Sequence, residues 1–152
     1  MSAVGDKALA VARRWIGTPY LHQASVSGSG ADCLGLLRGI WRELYGGEPE
    51  MVPAFSADWS EAGRDERLWQ AARRHLVEKP LSDCASGDVL LFRMNALAVA
   101  KHLGVAGRVG ADASFVHAYS RHGVVESPLS EAWARRVVAR FEFPERGAQW
   151  PH

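Results

Sequence analysis

Cys33 stands where a Gly/Ser-rich loop runs into an amphipathic stretch, in Gly28-Ser29-Gly30-Ala31-Asp32-Cys33-Leu34-Gly35-Leu36. That spacing puts a thiol in the opening turn of a helix, where unpaired backbone N–H groups and the helix dipole favour an anion. Such surroundings lower a cysteine's pKa, and the thiolate is the form that attacks a carbonyl. Hydrolysis by a thiol also needs a general base within hydrogen-bond reach and a third polar group to orient it. Of the six histidines, His102 and His117 lie in extended apolar segments downstream of the cysteine. On neighbouring antiparallel strands, residues sharing a face sit about 5 Å apart, so one imidazole can take the thiol proton while the other orients it. Tyr20, His22 and Asp32 lie in the loop that leads to the thiol and are the remaining candidates for the site.

Each of these residues has a structural reading as well. A cysteine at a helix start is commonly a small buried hydrophobe. Asp32 is a credible helix cap, and Tyr20 can plug the loop against the core with its hydroxyl on a carbonyl. His22 suits a cleft wall and a plain surface equally. Cys84, in Ser82-Asp83-Cys84-Ala85, repeats the Asp-Cys pair with no helical stripe behind it and reads as a structural or loop thiol. His75 near a helix end and His122 in a turn read as structural, and Trp150 in the terminal Gln149-Trp150-Pro151-His152 fits no core pattern. A zinc site made by Cys33, His102 and His117 is an alternative use of the same residues, but no C-x-x-C or H-x-x-x-H spacing supports it.

The elements that must position this set follow from periodicity. Leu9, Ala12, Trp15 and Ile16 mark a helix over 6–16, ended by Gly17-Thr18-Pro19. Residues 17–31 read as loop. Leu34, Leu37, Ile40, Trp41 and Leu44 share one face of the cysteine-bearing helix, stopped by Gly46-Gly47. A connector with Pro49 and Pro53 leads to a helix over roughly 60–76, with Leu68, Trp69, Ala72 and Leu76 as its buried stripe. After Pro80 the pattern turns extended, with strands predicted at 89–92, 102–106, 114–119, 123–126 and 137–143, and a short helix capped by Ser130. Helices first and strands afterwards indicate an α+β fold with an antiparallel sheet.

A chain of 152 residues is long enough for one domain with a real core, expected over 1–143 with 144–152 as a tail. Eighteen Lys+Arg against 17 Asp+Glu demand neither nucleic acid nor an anionic membrane as partner. The longest apolar stretch, near 95–100, is too short to span a bilayer. The first residues lack a basic segment followed by an apolar one, so no secretory signal is expected. Two distant cysteines make no disulfide framework, and synthesis in a reducing cytosol is expected.

Five segments, in order, resemble the NlpC/P60 cell-wall peptidases, a papain-like group whose permuted order puts the cysteine helix before the sheet. Gly17-Thr18-Pro19-Tyr20 is similar to the family's G-x-P-Y, and Asp32-Cys33-Leu34-Gly35-Leu36 resembles its D-C-S-G-L nucleophile motif. Gly87-Asp88-Val89-Leu90-Leu91-Phe92 resembles a G-D-L-v-f-F strand, His102-Leu103-Gly104-Val105 an H-V-G-I strand, and Val116-His117-Ala118 a v-H-A segment. The resemblance spans about residues 8–120. It implies a papain-like α+β domain whose nucleophile helix packs on an antiparallel sheet. Cys33 is then the nucleophile, His102 the general base and His117 the orienting residue, with Tyr20 beside the thiolate and Asp32 placing the substrate. The implied reaction is hydrolysis of peptidoglycan stem peptides, often between D-glutamate and a diamino acid, with no cofactor and no metal. Two departures bear on substrate preference: Leu34 replaces the usual Ser, and Leu21-His22-Gln23-Ala24 replaces the usual Gly-Gly. The compact form with leucine after the cysteine looks most like versions encoded by phages and gene transfer agents. That implies delivery to the periplasm and wall in a phage-like particle, with tail or hub proteins as partners. The alternatives are an amidase or acyl transferase using the same Cys-His pair, and a non-catalytic structural subunit of a tail assembly.

Overall fold

The computed structural model describes residues 3–48 and 66–145. The connector with Pro49 and Pro53, the first part of the helix predicted over 60–76, and Trp150 lie outside the described residues.

Helix α1 (Ala3–Arg14) buries Val4, Ala8, Leu9, Val11 and Ala12, a stripe at helical spacing. It ends two residues before the predicted boundary, where tighter turns carry Trp15 into the core at 2% exposure. The stretch read as loop contains a small antiparallel hairpin, β1 (Ser25–Val26) and β2 (Gly30–Ala31). Strands of two residues are too short to show alternation, which is why the sequence carries no sign of them. Helix α2 (Cys33–Tyr45) follows at once, with Leu36, Leu37, Ile40 and Trp41 on its buried face. Helix α3 (Arg67–His75) stops one residue short of the predicted end, and Val77–Lys79 forms a strand, β3, that the sequence reading lacked.

The strands β4 (Val89–Phe92), β5 (His102–Ala106), β6 (Ser114–Tyr119) and β7 (Gly123–Pro128) lie where extended patterning puts them. Helix α4 (Glu131–Ala134), capped by the Ser130 side chain, leads into β8 (Val137–Glu142). The six strands form one antiparallel sheet in the order β3-β8-β4-β5-β6-β7. On one face Val89, Leu91, Leu103, Val105, Val116, Ala118 and Phe141 meet α1 and α2 in the main core. Fully buried side chains such as Leu36 and Ile40 contribute roughly 1.5–3 kcal/mol each there. On the other face Leu90, Phe92, Ala106 and Phe115 form a second cluster under Trp133 of α4. Burial on both faces explains why 89–92 reads as an unbroken apolar run rather than an alternating one. Among the described residues no helix is long and apolar enough to cross a membrane.

One feature of the ladder shapes the site. β4 pairs with β5 along its whole length, from Val89↔Val105 to Phe92↔His102. β5 and β6, by contrast, pair only at Val105↔Val116 and Ala106↔Phe115. Toward its start, at Leu103 and His102, β5 therefore has no ladder partner on the β6 side.

Candidate active site

The start of α2 is locked to the preceding loop through Asp32. Its carboxylate accepts the Gly35 N–H on Oδ1 and the Gln23 N–H on Oδ2, each at 2.7 Å, and the residue is 2% exposed. The contacts of Asp32 are thus those of a helix cap that also anchors the loop. Gln23 is held in the left-handed region at φ 64, an unusual conformation for a residue with a side chain. His22 stands on the rim with its side chain 47% exposed and Nδ1 3.8 Å from Asp32 Oδ2. Tyr20 makes a parallel bridge to Ala31, which brings it alongside the turn that carries Cys33. Burial, and then the charges of Cys33 and Asp32, raise its phenol pKa above the usual value.

The Cys33 thiol donates to the Lys101 carbonyl at 3.5 Å, while the N–H groups of Leu103, Leu34 and Cys33 itself face the sulfur. Along β5, Ala106 bonds to Asp88 and Gly87 on the β4 side, so Lys101 and Leu103, of opposite parity, aim their main-chain groups toward β6. The sulfur therefore occupies the ladder positions that β6 leaves beyond Val105, against the main chain on both sides of His102.

His102 and His117 meet on the opposite face of the sheet from α1 and α2. His102 Nε2 and His117 Nδ1 are 2.8 Å apart, with the rings edge to face at 83°. Extending the register puts His117 opposite Gly104, one step diagonal from His102. A Cβ at position 104 would lie 2.8 Å from the Phe115 ring and 3.4 Å from His117 Cβ, so glycine there gives the two rings room to meet. The far nitrogen of His117, Nε2, lies 2.9 Å from Ser127 Oγ on β7. Phe92, Phe115, Tyr119 and Trp133 enclose the pair, with the Trp133 ring 5.6 Å from His102 and 5.2 Å from His117. His117 is fully buried.

This enclosure sets the protonation states. Burial pushes His102 down to about 4. His117 falls to about 3 through burial and then the neighbouring charges of His102 and His122. Burial, followed by the Asp32 charge, pushes the Cys33 thiol up to about 12 against the lowering effect of the three N–H groups. The expectation that the helix start lowers this pKa is thus overturned, because removing the sulfur from water outweighs the first-turn amides. At neutral pH the set is a thiol and two neutral imidazoles. Such a set can pass the thiol proton to an imidazole in concert with attack, since little preformed thiolate is present.

Acid stability follows from the same shifts. In the unfolded chain both imidazoles bind a proton near 6.5; in the folded chain they do so only near 4 and 3. The unfolded state then holds more protons in between, so stability is full above about 6.5 and declines as pH falls toward those lower values. We expect urea midpoints to be level from neutral to mildly alkaline pH and lower at about pH 5, before most carboxylates protonate. Ring resonances of His102 and His117 titrating near 6.5 in the folded protein would contradict this.

Sequence reasoning missed Ser127 and Trp133. The strand predicted at 123–126 stops just short of Ser127, and Trp133 was indistinguishable from a core tryptophan of an ordinary short helix. Glu66 was missed too: its carboxylate accepts the Ala100 N–H at 2.8 Å and pairs with Arg93 at 2.7 Å, bracing the segment just before Lys101 and His102. Cys84 is exposed and contacts the Leu81 carbonyl, whereas Cys33 is half-buried. Among the described residues no group of three His, Cys, Asp or Glu is arranged to hold a metal ion. One nitrogen of each histidine, Nε2 of His102 and Nδ1 of His117, is turned on the other ring.

No protein-family model and no curated protein matches the chain. Among solved structures it is similar to a lipoprotein-like protein of the NLP/P60 family from Staphylococcus aureus subsp. aureus Mu50, with TM-score 0.61 and 17% identity. That likeness covers 96% of this chain and 43% of the other, so the chain spans less than half the staphylococcal protein. It is also similar to the NlpC/p60 domain of the peptidoglycan hydrolase SagA, with TM-score 0.60 and 20% identity over 91% of this chain and 98% of that domain. The fold is therefore the papain-like α+β arrangement of NlpC/P60 domains, with the cysteine helix ahead of the antiparallel sheet.

Proposed function

We propose that the chain is an NlpC/P60-type cysteine peptidase that hydrolyses peptidoglycan stem peptides, with Cys33 as nucleophile, His102 as general base and His117 as orienting residue. The observation that carries this reading is the hydrogen-bonded His102–His117 pair, in which His102 opens the strand whose main chain cradles the Cys33 sulfur. A peptidoglycan hydrolase domain among the structures of the same fold supports the substrate class.

In the proposed mechanism His102 Nε2 is engaged by His117, which leaves Nδ1 to act on the thiol. The sulfur attacks the scissile carbonyl carbon as Nδ1 takes the thiol proton, forming the S–C bond. The developing oxyanion draws on the first-turn N–H groups of Cys33 and Leu34. The imidazolium then protonates the leaving amine as the C–N bond breaks, giving a thioester. Water, deprotonated by the same nitrogen, attacks the thioester; the acid departs and the thiol is restored. Tyr20 and His22 form the near wall of the approach, and Asp32 holds that wall through Gln23. The bond cut in this reading lies between D-glutamate and a diamino acid, and the enzyme reaches the wall as part of a phage-like tail.

Mass spectrometry of muropeptides digested in parallel by the wild type and by Cys33→Ala tests this directly. Cleavage at a single stem-peptide bond by the wild type alone is expected. Equal digestion by both proteins, or by neither, overturns the reading.

A further inference from the structure

We propose that Ser127 is a positioning residue whose oxygen accepts the His117 Nε2 proton while His102 holds the proton taken from Cys33. The inference rests on the assignment of His102 as base and follows from counting protons in a closed set. His117 is fully buried, and both its nitrogens are engaged: Nδ1 with His102 Nε2 at 2.8 Å, Nε2 with Ser127 Oγ at 2.9 Å. A neutral imidazole carries one N–H, so the chain of three groups has two arrangements. In one, Ser127 donates to His117, which donates from Nδ1 to His102 Nε2; the His102 proton is then on Nδ1, and that nitrogen cannot act as base. In the other, His102 donates from Nε2 to His117 Nδ1, and His117 donates from Nε2 to Ser127 Oγ. Only the second leaves His102 Nδ1 with a free lone pair.

The serine hydroxyl can both donate and accept, but only the second arrangement is competent, and it is the one expected in the resting protein. Once His102 has taken the thiol proton there is no choice. The imidazolium carries N–H on both nitrogens, His117 must accept at Nδ1, and its own proton must sit on Nε2 facing Ser127. The hydroxyl oxygen is then the acceptor for a buried N–H beside a cation, a contact strongest at the transition state. Alanine at 127 leaves that donor unpaired when the charge develops. It drives the resting pair toward the first arrangement, since an unpaired acceptor is better tolerated than an unpaired donor.

The readout is alkylation of Cys33 by iodoacetamide at neutral pH in the full chain, with Cys84→Ser introduced so that one thiol reports. Ser127→Ala is expected to slow alkylation by about tenfold or more, and Ser127→Thr, which keeps the hydroxyl, to restore most of the rate. On a stem peptide the loss falls in kcat with KM little changed. Nitrogen-15 spectra of the wild-type rings are expected to show His117 protonated on Nε2, a measurement that holds if the alanine variant fails to fold. Alkylation at the wild-type rate in Ser127→Ala, a threonine variant as slow as alanine, or a wild-type His117 protonated on Nδ1 each overturns the proposal. If alkylation and spectra behave as expected but no muropeptide is cut, the peptidase reading fails and the role of Ser127 stands.

Discussion

On the proposed peptidase reading, replacing His102 by alanine is expected to slow turnover of a stem peptide by about 10²–10⁴-fold, with KM changed little. The size of the effect follows from the resting protonation states. With the thiol at about 12, almost none of Cys33 is ionised near neutrality, and the neutral imidazole at about 4 is ready to receive a proton. On that reading attack depends on transfer to His102 within the transition state. The pH profile discriminates this from other roles. In the wild type, kcat/KM stays level through neutral pH and falls on the acid side, as His102 is protonated toward about 4. In His102→Ala the rate instead climbs with pH, following the growing thiolate fraction below about 12. A bell centred on neutrality in the wild type, or an unchanged profile in the variant, would show that another group takes the proton.

Gly35→Ala is expected to cost about 3 kcal/mol or more of stability and to displace the turn that carries Cys33. A Cβ at this position would overlap the Ala24 carbonyl oxygen and lie 3.0 Å from Asp32 Oδ1. The obstacle is backbone, and that same carbonyl accepts the Asp32 N–H at 3.3 Å, so the loop cannot retreat without opening the cap. Gly47→Ala serves as the control, since nothing lies within 4 Å of a Cβ there. Urea denaturation should show a large loss for the first and almost none for the second. Near-wild-type stability in Gly35→Ala would mean that the loop and helix are not locked as the hydrogen bonds describe.

Much of this arrangement was legible from residue pattern alone. The strands carrying both histidines begin and end where the apolar runs do, because burial on both faces leaves long unbroken signals. The cysteine helix starts at the residue after Asp32, as the cap and the apolar stripe require. The hairpin β1–β2 and strand β3 were illegible because two or three residues carry no periodicity. Ser127 was illegible because its partner is decided by strand register, and one serine near a strand end resembles any other. Trp133 shows the same limit: a four-residue helix gives no stripe from which to learn what it covers.

By itself, then, the sequence determined the order of helices and strands, the thiol at a helix start, and a histidine on each of two extended segments. These follow from local chemistry: side-chain periodicity, a capping carboxylate and turn residues. The tertiary structure alone decided that β5 and β6 part beyond Val105, so that the sulfur fills the vacated ladder positions beside His102. It decided too that glycine at 104 lets the rings meet diagonally and commits Nε2 of His102 to His117. It reversed the sign of the Cys33 shift, since the helix start is a local property and exclusion from water is not. Desolvation is the sum over every element packed around a group, and that sum exists only once the chain has folded.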